Sequence, residues 1–169
     1  LRDELAQRVR QGKGAVPNER FRLMTLFIPP MYLMGFLERI SQEYGAVSVV
    51  EPFFTSWGEG RLDPSKPLES VAQKSHLIPE RCRMYGPLSE RVIKDIVDSA
   101  REYKVDGAIY WAFMGCRHTC ATVKLFKDVL NEVDVPVLTV DCDLVDPTIN
   151  SEQEIRGKLE QFFELLEDR

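Results

Sequence analysis

The sequence predicts an α/β protein: an open, parallel, four-stranded sheet with helices on both faces. Three observations predict it. Short apolar runs alternate with segments whose apolar residues recur every 3.6 positions. Turn and cap residues separate these segments at nearly every junction, from Pro29-Pro30 and Gly45 to Ser151. The run Ala108 to Phe113 is apolar throughout, as a strand covered on both faces must be. Alternation of this kind implies right-handed crossovers between parallel strands.

Each element follows from its own residues. Leu1, Leu5 and Val9 share a helical face, and Gly12, Gly14 and Pro17 end that helix, so residues 1–17 read as a leading helix and linker. Phe21 to Ile28 is the first strand; Pro29-Pro30 stops it and pre-sets a helix start. Leu33, Phe36, Leu37, Ile40 and Tyr44 keep the helical period, and Gly45 stands where a helix C-terminal glycine belongs. Ala46 to Val50 is the second strand. Glu51 to Pro67 then breaks the rhythm with prolines, glycines and the aromatics Phe53, Phe54 and Trp57. Loops of this length are usually functional or disordered. The aromatics suit either an ordered, ligand-covering loop or a cap on the core.

Leu68 to Leu77 reads as a short helix. Its His76 is a surface or capping residue, because no second metal-type residue stands at helical spacing. Pro87 opens the next helix, with Val92, Ile93, Ile96, Val97, Ala100 and Tyr103 on its apolar face. After the strand Ala108 to Phe113, Thr122, Leu125, Phe126, Val129 and Leu130 make another helix. Pro136 to Val140 is the fourth strand, with Asp141, Cys142 and Asp143 at its carboxyl end. Ser151 and Glu154 form a capping box before a last helix that buries Ile155, Leu159, Phe162, Phe163 and Leu166. This order of elements is that of a Rossmann- or flavodoxin-like sheet.

The 169 residues make one domain, large enough to fold without disulfide or metal. A net charge of -5 argues against nucleic acid, which selects a basic face. The longest apolar runs fall far short of the roughly 20 residues of a membrane span, and no signal peptide is visible. Cysteines without regular spacing suggest a reducing compartment, so the expected location is the cytoplasm. The chain opens Leu-Arg-Asp-Glu-Leu, already in helical register, as a segment of something longer would.

The chemistry concentrates between Asp106 and Cys120. Gly115 turns the backbone after the apolar strand, and Cys116 and Cys120 follow where a helix should begin. Sites in open α/β sheets lie beyond the carboxyl ends of the strands. A helix N-terminus there offers free N–H groups and about half a positive charge, which favours a thiolate over a thiol. Burial as a structural cysteine is the competing reading of Cys116. The dinucleotide, phosphate-loop and hydrolase-elbow glycine motifs are all absent. His118 lies near both cysteines in sequence, but a cysteine–histidine nucleophile needs an angle that nearness does not set, and a solvent-facing histidine is the commoner outcome. Thiolates select zinc or iron–sulfur clusters. Cys116, Cys120 and Cys142, with Cys82 approaching the same edge, are the candidate thiols; no Cys-x-x-Cys pair exists, so a self-contained zinc site is disfavoured.

Three stretches together resemble one family. They are Asp106-Gly-Ala-Ile through Gly115-Cys-Arg-His-Thr-Cys, then Val135-Pro-Val-Leu-Thr-Val-Asp-Cys-Asp-Leu-Val-Asp-Pro, then Glu152-Gln-Glu-Ile-Arg-Gly-Lys-Leu-Glu-Gln-Phe-Phe-Glu-Leu-Leu. They resemble the 2-hydroxyacyl-CoA dehydratases, a family that includes the related benzoyl-CoA reductase subunits. The resemblance covers nearly the whole chain, most clearly from Lys104 onward, and corresponds to the C-terminal domain of one subunit. It implies a heterodimeric enzyme that removes water from an (R)-2-hydroxyacyl-CoA by way of a ketyl radical anion, after an ATP-dependent activator supplies one electron. It implies a [4Fe-4S] cluster in each subunit, held by cysteines from more than one domain. Cys116 occupies one ligand position, with Gly115 and Arg117 beside the cofactor. The other ligands would lie in the N-terminal domains, leaving this chain an incomplete set. Cys82, Cys120 and Cys142 match no ligand position of the family, and Lys158 stands where the family usually has arginine.

Three readings follow. The chain is the cluster-bearing domain of a 2-hydroxyacyl-CoA dehydratase or benzoyl-CoA reductase-type subunit; or a non-catalytic cluster-accessory domain that keeps the fold; or a thiol metal sensor using Cys116, Cys120 and Cys142.

Overall fold

A computed structural model describes residues 1–16, 18–52, 62–77 and 90–169. The aromatics Phe53, Phe54 and Trp57, Cys82, and the helix start at Pro87 lie outside the described residues, as does the side chain of His76.

The elements run α1 (Arg2–Arg10), β1 (Phe21–Leu26), a 3₁₀ turn (Met31–Leu33), α2 (Met34–Tyr44), β2 (Ala46–Val50), α3 (Pro67–Leu77), α4 (Glu90–Glu102), β3 (Gly107–Phe113), α5 (Arg117–Asn131), β4 (Val137–Cys142) and α6 (Glu152–Glu167). The four strands form one sheet in the order β2-β1-β3-β4, and every pairing is parallel. β3 is central and apolar on both faces. Its even side chains Ala108, Tyr110 and Ala112 pack with Ile96 and Ala100 of α4 and Phe126 and Leu130 of α5. Its odd side chains Ile109 and Trp111 pack with Phe36 and Ile40 of α2 and Leu159 and Phe163 of α6. The period-two alternation of a strand thus divides one apolar run between two cores. Crossovers leave β1 toward β2 on one side and reach β3 on the other, so the order reverses between β1 and β3. That reversal is where ligands bind in open α/β sheets.

Four boundaries depart from expectation for physical reasons. β1 ends at Leu26 because Phe27 turns out of the strand with φ +64°. α2 is preceded by a 3₁₀ turn after Pro30. β4 runs to Cys142, two residues past the expected end, because Ala112 and Phe113 of β3 continue to pair with Asp141 and Cys142. The capping box before α6 is half formed: Ser151 Oγ accepts from Glu154 N–H at 3.1 Å, but the Glu154 carboxylate takes Lys158 at 2.8 Å. Gly45 is required where it stands. Its φ is +65°, and a Cβ there would lie 2.3 Å from the Asn18 carbonyl oxygen.

α1 forms as its sequence predicts, yet it buries no residue, and Leu1 and Val9 are 91% and 77% exposed. No helix among the described residues is long and apolar enough to cross a membrane.

Candidate functional site

β3 delivers its chain to the switch point through a tight turn, Phe113-Met114-Gly115-Cys116. The Cys116 N–H donates to the Phe113 carbonyl at 3.0 Å, and the Met114 N–H donates to the Cys142 carbonyl at 3.0 Å, tying the turn to β4. A Cβ on Gly115 would come within 2.6 Å of the end of the Phe113 ring, so a side chain there would displace that ring. Cys116 is the N-cap of α5, in extended conformation (φ -110°, ψ 109°), with no side-chain capping bond. The first backbone bond of the helix is Cys120 N–H to Cys116 O at 3.1 Å, which leaves the N–H groups of the first turn facing outward. No acidic residue occupies that turn, where acidic residues are normally favoured. Arg117 stands there instead, exposed. The result is a half-buried thiol at a helix N-terminus whose positive end is left uncompensated.

Buried polar bonds fix this helix start. Tyr110, from the central strand, donates its hydroxyl to the Thr119 carbonyl at 2.6 Å and bonds Thr122 Oγ1 at 2.7 Å. The single hydroxyl proton of Thr119 is shared between the carbonyls of Phe113 (2.9 Å) and Cys116 (3.0 Å), clasping the turn to the helix. Sequence reasoning read Tyr110 only as part of an apolar strand. The available signal was that a buried tyrosine needs a partner for its hydroxyl, with threonines following at the next helix start.

The three candidate thiols among the described residues do not converge. Cys120 is exposed, and its Sγ approaches the Phe113 carbonyl oxygen at 3.5 Å. Cys142 is fully buried in the core beneath α2 and α6, on the other face of the sheet from α5. Among the described residues, no three His, Cys, Asp or Glu side chains gather as a metal site. The self-contained reading with Cys116, Cys120 and Cys142 therefore lacks its geometry. Nor is His118 solvent-facing, as expected: its ring packs edge-on against Phe27 at 5.9 Å, and its buried Nε2 has no hydrogen-bond partner among the described residues. Phe27 reaches this position through its left-handed backbone, which no sequence signal marks.

The chain matches, over residues 1–166, the family described as 2-hydroxyglutaryl-CoA dehydratase, D-component. The chain belongs to that family. It is also similar to a benzoyl-CoA reductase subunit from Thauera aromatica, 25% identical over 181 residues that cover 100% of this chain and 40% of that protein. The chain thus spans about two fifths of that relative's length.

Burial gives the fold an alkaline sensitivity. It pushes the Tyr110 hydroxyl up to about 12 from 10.0, and the Cys142 thiol up to about 11 from 9.0, with Asp141 and Asp143 adding to the latter. Both groups are neutral in the fold, and both ionise more readily when unfolded. Their contribution is complete below pH 9 and is lost as pH rises through the folded values. Stability should fall between about pH 9 and 12, by on the order of 2 kcal/mol for each group. Urea unfolding at stepped pH checks this. Tyr110→Phe should flatten the upper part of the decline; an unchanged slope would show that Tyr110 ionisation does not drive it.

Proposed function

We propose that this chain is a domain of an iron–sulfur 2-hydroxyacyl-CoA dehydratase subunit, or of the related benzoyl-CoA reductase type, and that Cys116 supplies one ligand of a [4Fe-4S] cluster. The observation that carries the reading is the half-buried Cys116 at the N-terminus of α5, free of any capping bond, with Arg117 and outward N–H groups beside it. A cluster with its thiolates is anionic, and this surrounding is positive. The donor chemistry fits one iron corner of such a group. The remaining ligands belong to other domains of a family subunit. When bound, the cluster supplies one-electron transfer.

What this chain's own residues do is positional. Tyr110 and Thr119 fix the turn and the first turn of α5, and so the backbone that carries the thiol. Arg117 offsets negative charge. The partners in this reading are the N-terminal domains of the same subunit, a second dehydratase subunit and an ATP-dependent activator, with an acyl-CoA as substrate, in the cytoplasm.

The test uses the full-length complex, purified anaerobically with its activator. Cys116→Ala should lower the iron content by about one cluster's worth in that subunit and abolish turnover, whereas Cys120→Ala should keep iron near wild type. Equal iron loss in both variants would contradict the assignment. Full iron in Cys116→Ala would favour the cluster-accessory reading, in which this fold is kept without the ligand.

A further inference from the structure

α1 is well terminated as a helix but has nothing to pack on. Its end is a full Schellman cap. Gly12 is left-handed (φ +65°), the Lys13 N–H donates to the Arg8 carbonyl at 2.9 Å, and the Gly12 N–H donates to the Val9 carbonyl at 3.0 Å. Acidic residues sit in its first turn and basic ones in its last, as the helix dipole favours. Nine residues are still too few for a stable isolated helix in water, where packing of an apolar face supplies most of the stability. Yet Leu1, Leu5 and Val9 are all exposed. With about 3.6 residues per turn, Arg2 and Arg8 stand on either side of that stripe. Neither makes an ion pair among the described residues.

The amino edge of the sheet, at the far end from Cys116, has the complementary character. A cleft of about 380 Å³ opens there, and every residue lining it is among the described ones. Its floor is apolar: Phe21, Val105, Val133, Val135 and Leu166. α4 and α5 end at this edge, just before β3 and β4, and α6 ends there with Leu166 against Gly107. α5 and α6 carry no basic residue in their last turns, so their negative ends are uncompensated. Carboxylates add to this. Glu102 ends α4, Glu132 adjoins Val133, and Asp168 follows α6; all three are exposed and make no ion pair among the described residues. Asp106, in the cleft wall, accepts the Arg22 backbone N–H at 2.7 Å. The arginines from β1 and the chain end are engaged: Arg20 with Glu167, Arg22 with Glu19 and Arg169 with Asp134. Arg101 and Lys104 are the cations left to offset the free carboxylates.

We infer that α1 of one copy docks in the amino-edge cleft of a second copy, reciprocally, so that two copies of this chain form a closed two-fold dimer. Leu1, Leu5 and Val9 cover the apolar floor, and Arg2 and Arg8 meet Glu102 and Glu132. Each copy carries a basic helix with an uncovered stripe and an open acidic cleft, and one exchange satisfies both. Three apolar side chains per helix make a modest interface, so the dimer should form at on the order of 100 μM and above. At low micromolar concentration the chain is monomeric, and substitutions on α1 then leave its unfolding unchanged.

Sedimentation equilibrium of the 169-residue chain tests this with paired charge reversals. A helix variant, Arg2→Glu with Arg8→Glu, and an edge variant, Glu102→Lys with Glu132→Lys, should each weaken dimerisation at least about tenfold. The edge substitutions place lysine at helix C-termini, where it is favoured, and circular dichroism confirms the fold. Mixed in equal amounts, the two variants should recover the wild-type dissociation constant to within about threefold, because an acidic helix then faces a basic edge and a basic helix an acidic one. Leu5→Asp should abolish the dimer. A wild-type chain that stays monomeric to about 1 mM would overturn the inference. So would an edge variant that dimerises like wild type, which is the outcome of helix-to-helix pairing, or a mixture that stays monomeric.

Discussion

Phe126→Ala should destabilise the protein by about 3–5 kcal/mol, the range for removing a large buried aromatic. Phe126 is fully buried on α5. Its ring meets Phe27 edge-on at 6.2 Å and Tyr110 at 6.0 Å. Those three rings form the contact between α5, the central strand and the left-handed Phe27. A domain is stable by only about 5–15 kcal/mol, so the loss is a large share of the total. The consequence reaches the site, because Tyr110 also holds the first turn of α5 through Thr119. Urea unfolding followed by circular dichroism measures the effect, with Leu5→Ala as the comparison. Leu5 lies on α1, which buries nothing, so that variant should stay within about 0.5 kcal/mol of wild type. A loss below about 1 kcal/mol for Phe126→Ala would show that the site relaxes around the missing ring.

Anaerobic reconstitution of the 169-residue chain with iron and sulfide should leave well under one cluster per chain. A cubane normally takes four cysteine ligands. Cys116 is accessible at the helix start, but Cys142 is sealed in the core across the sheet, and Cys120 is not gathered with them into a metal site. One thiolate leaves the other irons to water or outside thiols, so no chelate holds. The fold itself should be unaffected, since two apolar cores close without metal. Visible absorption, iron analysis and a thermal transition decide the point together. About four irons per chain, lost in Cys120→Ala or Cys142→Ala, would establish a self-contained site instead. Little iron with a cooperative transition is the expected result.

The order and type of the described elements were determined by the sequence. Apolar period distinguishes a strand buried on both faces from an amphipathic helix, and both signals are local. The same holds for Ser151 and for the left-handed helix cap at Gly45, which bonds back to Ser41, although the close approach of Asn18 to Gly45 is tertiary. Periodicity does not say what will cover an apolar stripe. Leu1, Leu5 and Val9 make a helix whose apolar stripe is left exposed among the described residues, although it reads like the stripe of a packed helix.

The candidate site was legible in one residue and not in its surroundings. The position of Cys116 followed from an apolar strand, a glycine and a helix start. The fate of Cys142 turned on two residues of strand pairing. With β4 ending at Val140, Cys142 reads as an edge thiol; pairing with Phe113 extends the strand, and the two-residue period then places Cys142 on the buried face with Val140. That pairing depends on β3, some thirty positions away in sequence, and so do the Tyr110 clasp and the inward turn of His118 onto Phe27. The cleft at the amino edge belongs to the same category. Its floor comes from β1, the approaches to β3 and β4, and α6, and only the tertiary structure brings them to the same place.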